Sequence, residues 1–188
     1  EKFWDEAKAD LDAIPAAALS ADRKIDREVL DRRIASHRFS LRERKTPEMD
    51  PIWYAGLVGG GLDPLVTRSF APAPVRAKSL AKRLAGIASI VAAARARLGR
   101  PPRVYTETAI KQVKGLVGLV DGGFPELLAD APDEKSAVLD AAAKAEKALR
   151  DLQAFYEGDL LARSDGEFRA GKAQYEESLR LTLDADVD

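Results

Sequence analysis

The chain has 188 residues, 46% of them apolar and 32% charged, with a formal net charge of −1; a chain of that size and make-up can bury a continuous core, which excludes a disordered tail or linker as the expectation. Near-neutral charge gives no overall attraction to nucleic acid or to an anionic membrane. One histidine and no cysteine exclude a disulfide framework and a zinc site of the usual nitrogen and sulfur kind, and leave the compartment open.

Phe3, Ala7, Leu11 and Ile14 recur at helical spacing until Pro15 interrupts, which predicts a first short helix. Ser20 or Asp22 can cap the next, where Ile25, Val29 or Leu30, Ile34, His37 and Leu41 trace one face as far as Thr46-Pro47. Asp50-Pro51 predicts a helix start, because the Asp carboxylate can accept from orphan amides and proline loses no hydrogen bond at the first helical position. Ile52, Trp53, Tyr54 and Leu57 follow, and Gly59-Gly60-Gly61 is expected to end the segment as a turn. After Asp63-Pro64 and the loop Ala71-Pro72-Ala73-Pro74, the residues Leu80, Leu84, Ile87, Val91, Ala94 and Leu98 form the clearest helical stripe, a seam for packing against another helix.

Gly99 is placed to be the left-handed residue ending that helix, and Pro101-Pro102 prevent its continuation. Thr106 is a plausible cap for the next helix, with Glu107 in its first turn, running through Ile110, Val113, Val117 and Val120 to Asp121-Gly122-Gly123; the two are expected to pair as a helical hairpin. Asp133 and Glu134 sit where acids favour a helix N-terminus, and Val138, Ala141, Ala145, Leu149, Leu152, Tyr156 and Leu160 carry one long stripe up to Asp165-Gly166. A last short helix holds Tyr175 and Leu179. No alternation long enough for a strand and no fixed-period repeat is present. The expected class is all-α, a multi-helix bundle of antiparallel helices and helical hairpins without a sheet, forming over residues 1–188 a single helical domain or a fragment of a larger helical protein. No apolar run approaches the roughly 18 residues of a membrane span, and Glu1-Lys2-Phe3-Trp4 does not read as a signal peptide. Met49 is the sole methionine, so the chain reads as part of a longer gene product or as a mature chain whose leader has been removed.

Candidate chemistry is sparse. Residues 64–106 carry nine Lys or Arg and no acid, whereas residues 107–188 carry eighteen acids against ten bases. Such a block can be a phosphate footprint; the reading preferred here is that Arg68, Arg76, Lys78, Lys82, Arg83, Arg95, Arg97, Arg100 and Arg103 face water or pair with the acidic C-terminal helices, because only Phe70 and Tyr105 are at hand to stack bases. His37, beside Ile34 and Leu41, reads as a partly buried, hydrogen-bonded side chain; a helical di-iron site would want Glu three residues before it, where Ile34 stands. Ser79-Leu80-Ala81-Lys82 matches a Ser-x-x-Lys nucleophile pattern without its companion motifs. Gly59-Gly60-Gly61 lacks the Gly-Lys-Ser/Thr of a phosphate loop. Acid pairs such as Glu6 with Asp10 and Asp22 with Asp26 read as solvated faces, and Trp53 and Tyr54 as core anchors. No catalytic, cofactor-binding or metal-binding residue is assigned.

Taken in order, Asp50-Pro51-Ile52-Trp53-Tyr54, the helix Arg76 to Leu98 with Leu80, Arg83-Leu84 and Ile87, the break Gly99-Arg100-Pro101-Pro102, the stretch Thr108-Ala109-Ile110-Lys111-Gln112, and Phe168-Arg169-Ala170-Gly171-Lys172 with Tyr175 and Leu179 resemble the bacterial family called domain of unknown function 885. The resemblance covers nearly all of this chain and the N-terminal to middle part of the family's usual length. It implies a mostly helical protein related to zinc metallopeptidases, whose His-Glu-x-x-Pro-Gly-His signature lies downstream. There two histidines one turn apart would bind zinc and the Glu would serve the metal-bound water as base. None of that signature is in this sequence, so no ligand or catalytic residue transfers to any position. The resemblance thus implies a non-catalytic helical scaffold with no cofactor in this chain and zinc in the full-length parent. Its partner would be the remainder of the parent, or a second copy through an exposed apolar helix face. The alternative reading is a free-standing helical interaction module; a nucleic-acid partner and a membrane span are not expected.

Overall fold

The computed structural model describes residues 1–183. In chain order the helices are α1 (Lys2–Asp12), α2 (Ala21–Arg42), α3 (Thr46–Met49), α4 (Pro51–Thr67), α5 (Ala73–Arg97), α6 (Arg103–Asp121), α7 (Pro125–Ala129), α8 (Lys135–Phe155) and α9 (Gly171–Leu183). No strand occurs among the described residues, so the all-α class is the observed one. The chain divides into two compact units, one made of Glu1–Thr46 with the segment from Arg169 onward, the other of Pro47–Phe168.

In the first unit α2 packs on α1 and α9. Ser20 is the residue that caps α2, its hydroxyl accepting from the Arg23 amide at 3.4 Å. Charge pairs fasten α1 along α2: Arg38 to Asp5 at 3.1 Å, Arg42 to Glu1 at 2.6 Å, and Lys8 to Asp31 at 3.3 Å. The apolar core is thin, with Leu11 and Ile34 buried. The stripe expected along α2 reaches the interior only from Ile34 onward, and Ile25 and Val29 stay 62% and 61% exposed. The helix also ends at Arg42, with α3 as a separate turn over Thr46–Met49.

The second unit is a four-helix bundle. α4 packs on α5 and α6, and α8 packs on the same two helices. The cyclic order is therefore α4, α5, α8, α6, which places α5 and α6 across the diagonal rather than in the expected hairpin. The 98–102 connection is short enough to reverse the chain, yet the stripes of both helices turn inward toward α8. Ala77, Leu80, Leu84, Ile87, Val91, Ala94 and Leu98 of the α5 stripe are all buried, as are Val138, Ala145, Leu149 and Leu152 of α8 and Tyr156 and Leu160 of the turn that continues it. These side chains share one core cluster. At roughly 1.5–3 kcal/mol for each large apolar side chain removed from water, they dominate the energetics of the unit.

The expected turn at Gly59-Gly60-Gly61 is not one: α4 runs through it, and through Pro64, to Thr67. Asp50 caps the helix as expected, its Oδ1 accepting from the Ile52 amide at 2.9 Å and the Trp53 amide at 3.3 Å. Val58, Leu62 and Leu65 then fall on the buried side, and their burial outweighs the roughly 1 kcal/mol that each mid-helix glycine costs. At Gly59 a methyl group would make an ordinary contact with Leu116 at 3.5 Å, so the helix does not need glycine there for space. Replacing Asp50 with alanine should cost about 1 kcal/mol by stranding two amides; a thermal midpoint unchanged from wild type would contradict that assignment.

Two basic residues of the 64–106 block complete α4. Pro64 has no N–H to offer the Gly60 carbonyl four residues back, and Arg83 Nη1 donates to the next carbonyl, that of Gly61, at 2.6 Å. Arg76, expected to face water or an acid, is instead buried. It donates through Nη1 to Leu65 O at 2.8 Å and through Nε to Ala71 O at 3.0 Å, closing the C-terminus of α4 and its loop. A guanidinium can do this because it offers several donors in a fixed fork while a helix end leaves carbonyls unpaired.

Two further expectations fail at the start of α6. Gly99 is not left-handed; Leu98 ends α5 in an extended conformation and the Gly99 amide donates to Glu48 O at 2.9 Å. Thr106 does not cap α6, which begins three residues earlier after Pro102. It is fully buried, and its hydroxyl lies 2.7 Å from that of Ser164. Positive φ occurs instead at Lys45, at Gly123 and Phe124 after α6, and at Gly171, which opens α9. The α8 helix widens into a π-helical turn over Tyr156–Leu160.

Candidate functional site

Polar side chains gather at one end of the bundle, where the N-termini of α4 and α6 meet the C-terminal end of α8. Tyr54 Oη donates to Pro47 O at 2.7 Å and Tyr156 Oη to Pro51 O at 3.2 Å, both phenols being buried. Burial pushes both hydroxyls above the ordinary tyrosine range, Tyr156 strongly, with the neighbouring Tyr54 and Asp50 adding to it. Each phenol therefore stays a neutral donor. Ser164 Oγ donates to Leu160 O at 2.7 Å and faces Thr106. Beside it, Arg100 Nε donates to Asp165 at 2.8 Å and holds that carboxyl below the usual range. The hydroxyls and the Arg100–Asp165 pair named here are answered by backbone or by a neighbouring side chain of the same unit, the pattern of a folding lock; the adjacent Arg163 donates through Nη2 to Leu98 O at 3.2 Å, while its Nε is buried without a hydrogen bond. Trp53, expected beside Tyr54 as a core anchor, meets the Tyr54 ring edge-on but is 37% exposed.

Of the rest of the basic block, Arg68, Lys82 and Arg97 face water as expected, and three others are engaged within the unit. Lys78 pairs with Glu134 at 3.3 Å and Arg103 with Glu107 at 2.8 Å, while the Arg95 guanidinium lies over the Phe155 ring at 5.1 Å. Pairing with acids of the C-terminal half thus holds for Lys78, Arg100 and Arg103, whereas Arg76 and Arg83 turn to carbonyls. Exposed pairs of this kind contribute little to stability, about 0–1 kcal/mol each.

In the first unit His37 is half-buried and its ring stacks on Trp4, with centroids 4.0 Å apart and planes at 11°. Burial, followed by the Arg33 charge, lowers its pKa, so it is held neutral. A charged hollow of about 310 Å³ is lined by Asp12, Lys24, Arg27, Glu28 and Asp31. Two of its acids are matched by cations: Asp12 by Lys8 at 2.5 Å and Arg27 at 3.9 Å, and Asp31 by Lys8 at 3.3 Å. Ser79 of the Ser-x-x-Lys pattern donates to Val75 O at 3.0 Å, within its own helix. Of the acid pairs, Glu6 sits 3.6 Å from Lys2, and Asp26 3.2 Å from Arg23. Among the described residues no group of three or more His, Asp or Glu side chains is placed to hold a metal ion, and no helix is long and apolar enough to cross a membrane.

A second kind of feature lies on the outside of α4. A groove of about 270 Å³ runs between α4 and α5, lined by Leu57, Gly61, Leu62, Arg83, Gly86 and Ile90. It is apolar apart from Arg83, and sequence reasoning missed it because Gly59-Gly60-Gly61 was expected to end the helix that forms its wall.

Fold and side-chain inventory together define an all-α bundle protein whose buried polar groups serve its own backbone. The chain belongs to the family described as bacterial protein of unknown function, DUF885, whose model matches residues 1–188. A solved structure described as a "putative lipoprotein of unknown function" from Shewanella oneidensis is similar to it, with a TM-score of 0.84 and 24% identity. The likeness, which at that identity shows the fold alone, covers 99% of this chain and 35% of that one, so this chain spans about a third of that protein's length. Among curated proteins, none matches the sequence.

Proposed function

We propose that this chain is the non-catalytic helical portion of a larger bacterial protein, a zinc-dependent hydrolase of the peptidase type whose metal-binding signature lies in polypeptide outside residues 1–188. The observation that carries the reading is the disproportion in length: the fold accounts for nearly the whole of this chain and about a third of the solved relative. The polar inventory fits it, since the buried hydroxyls and guanidinium of the bundle bond to backbone rather than converging on a cleft. The zinc chemistry itself rests on the family resemblance read from the sequence. Metal analysis and peptide-hydrolysis assays on the full-length gene product and on the 188-residue chain test it. Zinc and turnover are expected in the former and neither in the latter; stoichiometric zinc in the short chain, or a parent without His-Glu-x-x-Pro-Gly-His, would overturn it.

A free-standing interaction module is the second reading. It is favoured by one observation in the first unit, the outward Ile25, Val29 and Leu30 of α2, which are 52–62% exposed and can hold a partner helix.

A further inference from the structure

The outer side of α4 is built as though something lies against it. Residues 51–62 carry no charge at all, and a helix that is apolar on every side belongs in an interior. Tyr54, Ala55, Val58 and Leu62 occupy the buried side; Trp53, Gly56, Leu57 and Gly60 form a second, exposed stripe. Trp53 and Leu57 are 37% and 44% exposed.

The glycines sharpen the point. A methyl group added at Gly56, Gly60 or, across the groove on α5, Gly86 would meet nothing within 4 Å. Each lies inside a helix, where glycine costs about 0.5–1 kcal/mol relative to alanine. Gly166 is explained by the Arg100 backbone; Gly56, Gly60 and Gly86 share their open surroundings with Gly115, Gly118 and Gly158, but the first three lie together beside the Trp53 and Leu57 stripe and the α4/α5 groove. A backbone passing close outside would account for them, because the distance between packed helices is set by the side chains at their crossing. Beside them the α4/α5 groove supplies an apolar floor from Leu57, Ile87 and Ile90, and its cation, Arg83, is already bonded to Gly61 O.

We infer that the Trp53-Gly56-Leu57-Gly60 face of α4, with the adjoining α4/α5 groove, is the seat of an apolar helix from the portion of the parent polypeptide outside this chain. The inference rests on the proposal that the chain is part of a larger protein. A tethered segment fits better than a second copy: stable independent association takes about 800 Å² per partner, whereas the large side chains this stripe exposes are only Trp53 and Leu57, and a tether supplies effective concentration in place of area. The occupant is apolar because the face offers no unpaired charge to meet one.

The experiment uses Trp53 as reporter, with the other tryptophan removed by Trp4→Phe, in both the 188-residue chain and the full-length parent. Acrylamide quenching of Trp53 should be severalfold weaker in the parent, with blue-shifted emission. Gly60→Ala should raise the melting temperature of the 188-residue chain and lower that of the parent, and Gly60→Leu should restore quenching in the parent. Equal quenching in both proteins, or Gly60→Ala raising both melting temperatures, would overturn the inference. So would Trp53 becoming shielded in the 188-residue chain as its concentration rises, which would assign the seat to a second copy. A parent that shields Trp53 but holds no zinc and turns over no peptide would sink the hydrolase reading and leave this one standing.

Discussion

Leu149→Ala is expected to destabilise the protein by about 2–5 kcal/mol, the range for removing a fully enclosed leucine whose surroundings relax only in part. Leu149 has no exposed surface and sits mid-way along α8, the helix that packs on both α5 and α6. Any void it leaves therefore faces two neighbours at once and cannot be closed by shifting one of them. Urea unfolding should show a lower midpoint with an unchanged slope, since the surface exposed on unfolding hardly alters. Lys147→Ala is the control on the same helix: its ammonium is exposed and pairs with Asp151 one turn away at 2.8 Å, so it should shift stability by less than about 1 kcal/mol. Equal midpoints for the two variants would contradict the packing described.

The second large effect is expected at Gly166. A side-chain carbon there would overlap the Arg100 carbonyl oxygen and press on Met49 Cε and Pro101 C at 3.1 Å, while the Gly166 amide donates to Pro101 O at 3.2 Å. The obstacle is backbone on a proline-stiffened loop, so it cannot swing aside as a side chain would. Gly166→Val should cost about 3 kcal/mol, the upper part of the range for overpacking. Gly158→Ala is the contrast, because its methyl would meet nothing within 4 Å. Thermal unfolding of the two variants checks this; a Gly166→Val protein as stable as wild type would mean that the loop after α5 gives way freely.

How far the fold was legible in the sequence depends on the range of the forces involved. The stripes of α5 and α8 could be read outright, because a run of leucines and alanines at steps of three and four needs only one helix to be understood. The Asp50-Pro51 start is equally local: a carboxylate, two amides and a ring with a fixed φ. Misreadings came where a distant residue decides. Gly59-Gly60-Gly61 looks like a terminator until the burial of Val58, Leu62 and Leu65 is set beside it. Thr106 looks like a cap until Ser164, far along the chain, claims its hydroxyl. Arg76 looks solvated until the carbonyls of Leu65 and Ala71 are brought to it. Trp53 and Tyr54 are alike in sequence but are separated by the roughly 100° turn between neighbouring helical positions, which points one inward and the other out. The outer face of α4 was illegible for the same reason, since glycine reads as an interruption when its neighbours are unseen.

The diagonal placement of α5 and α6 has a bearing on how the bundle is made. A nascent chain that has emerged only as far as Asp121 holds two long amphipathic segments that do not pack on each other, and neither of their inward faces is closed until α8 is synthesised some thirty residues later. For that interval the ribosome carries an unfinished barrel of leucine and valine with one stave missing, a species inclined to bind chaperones or to aggregate.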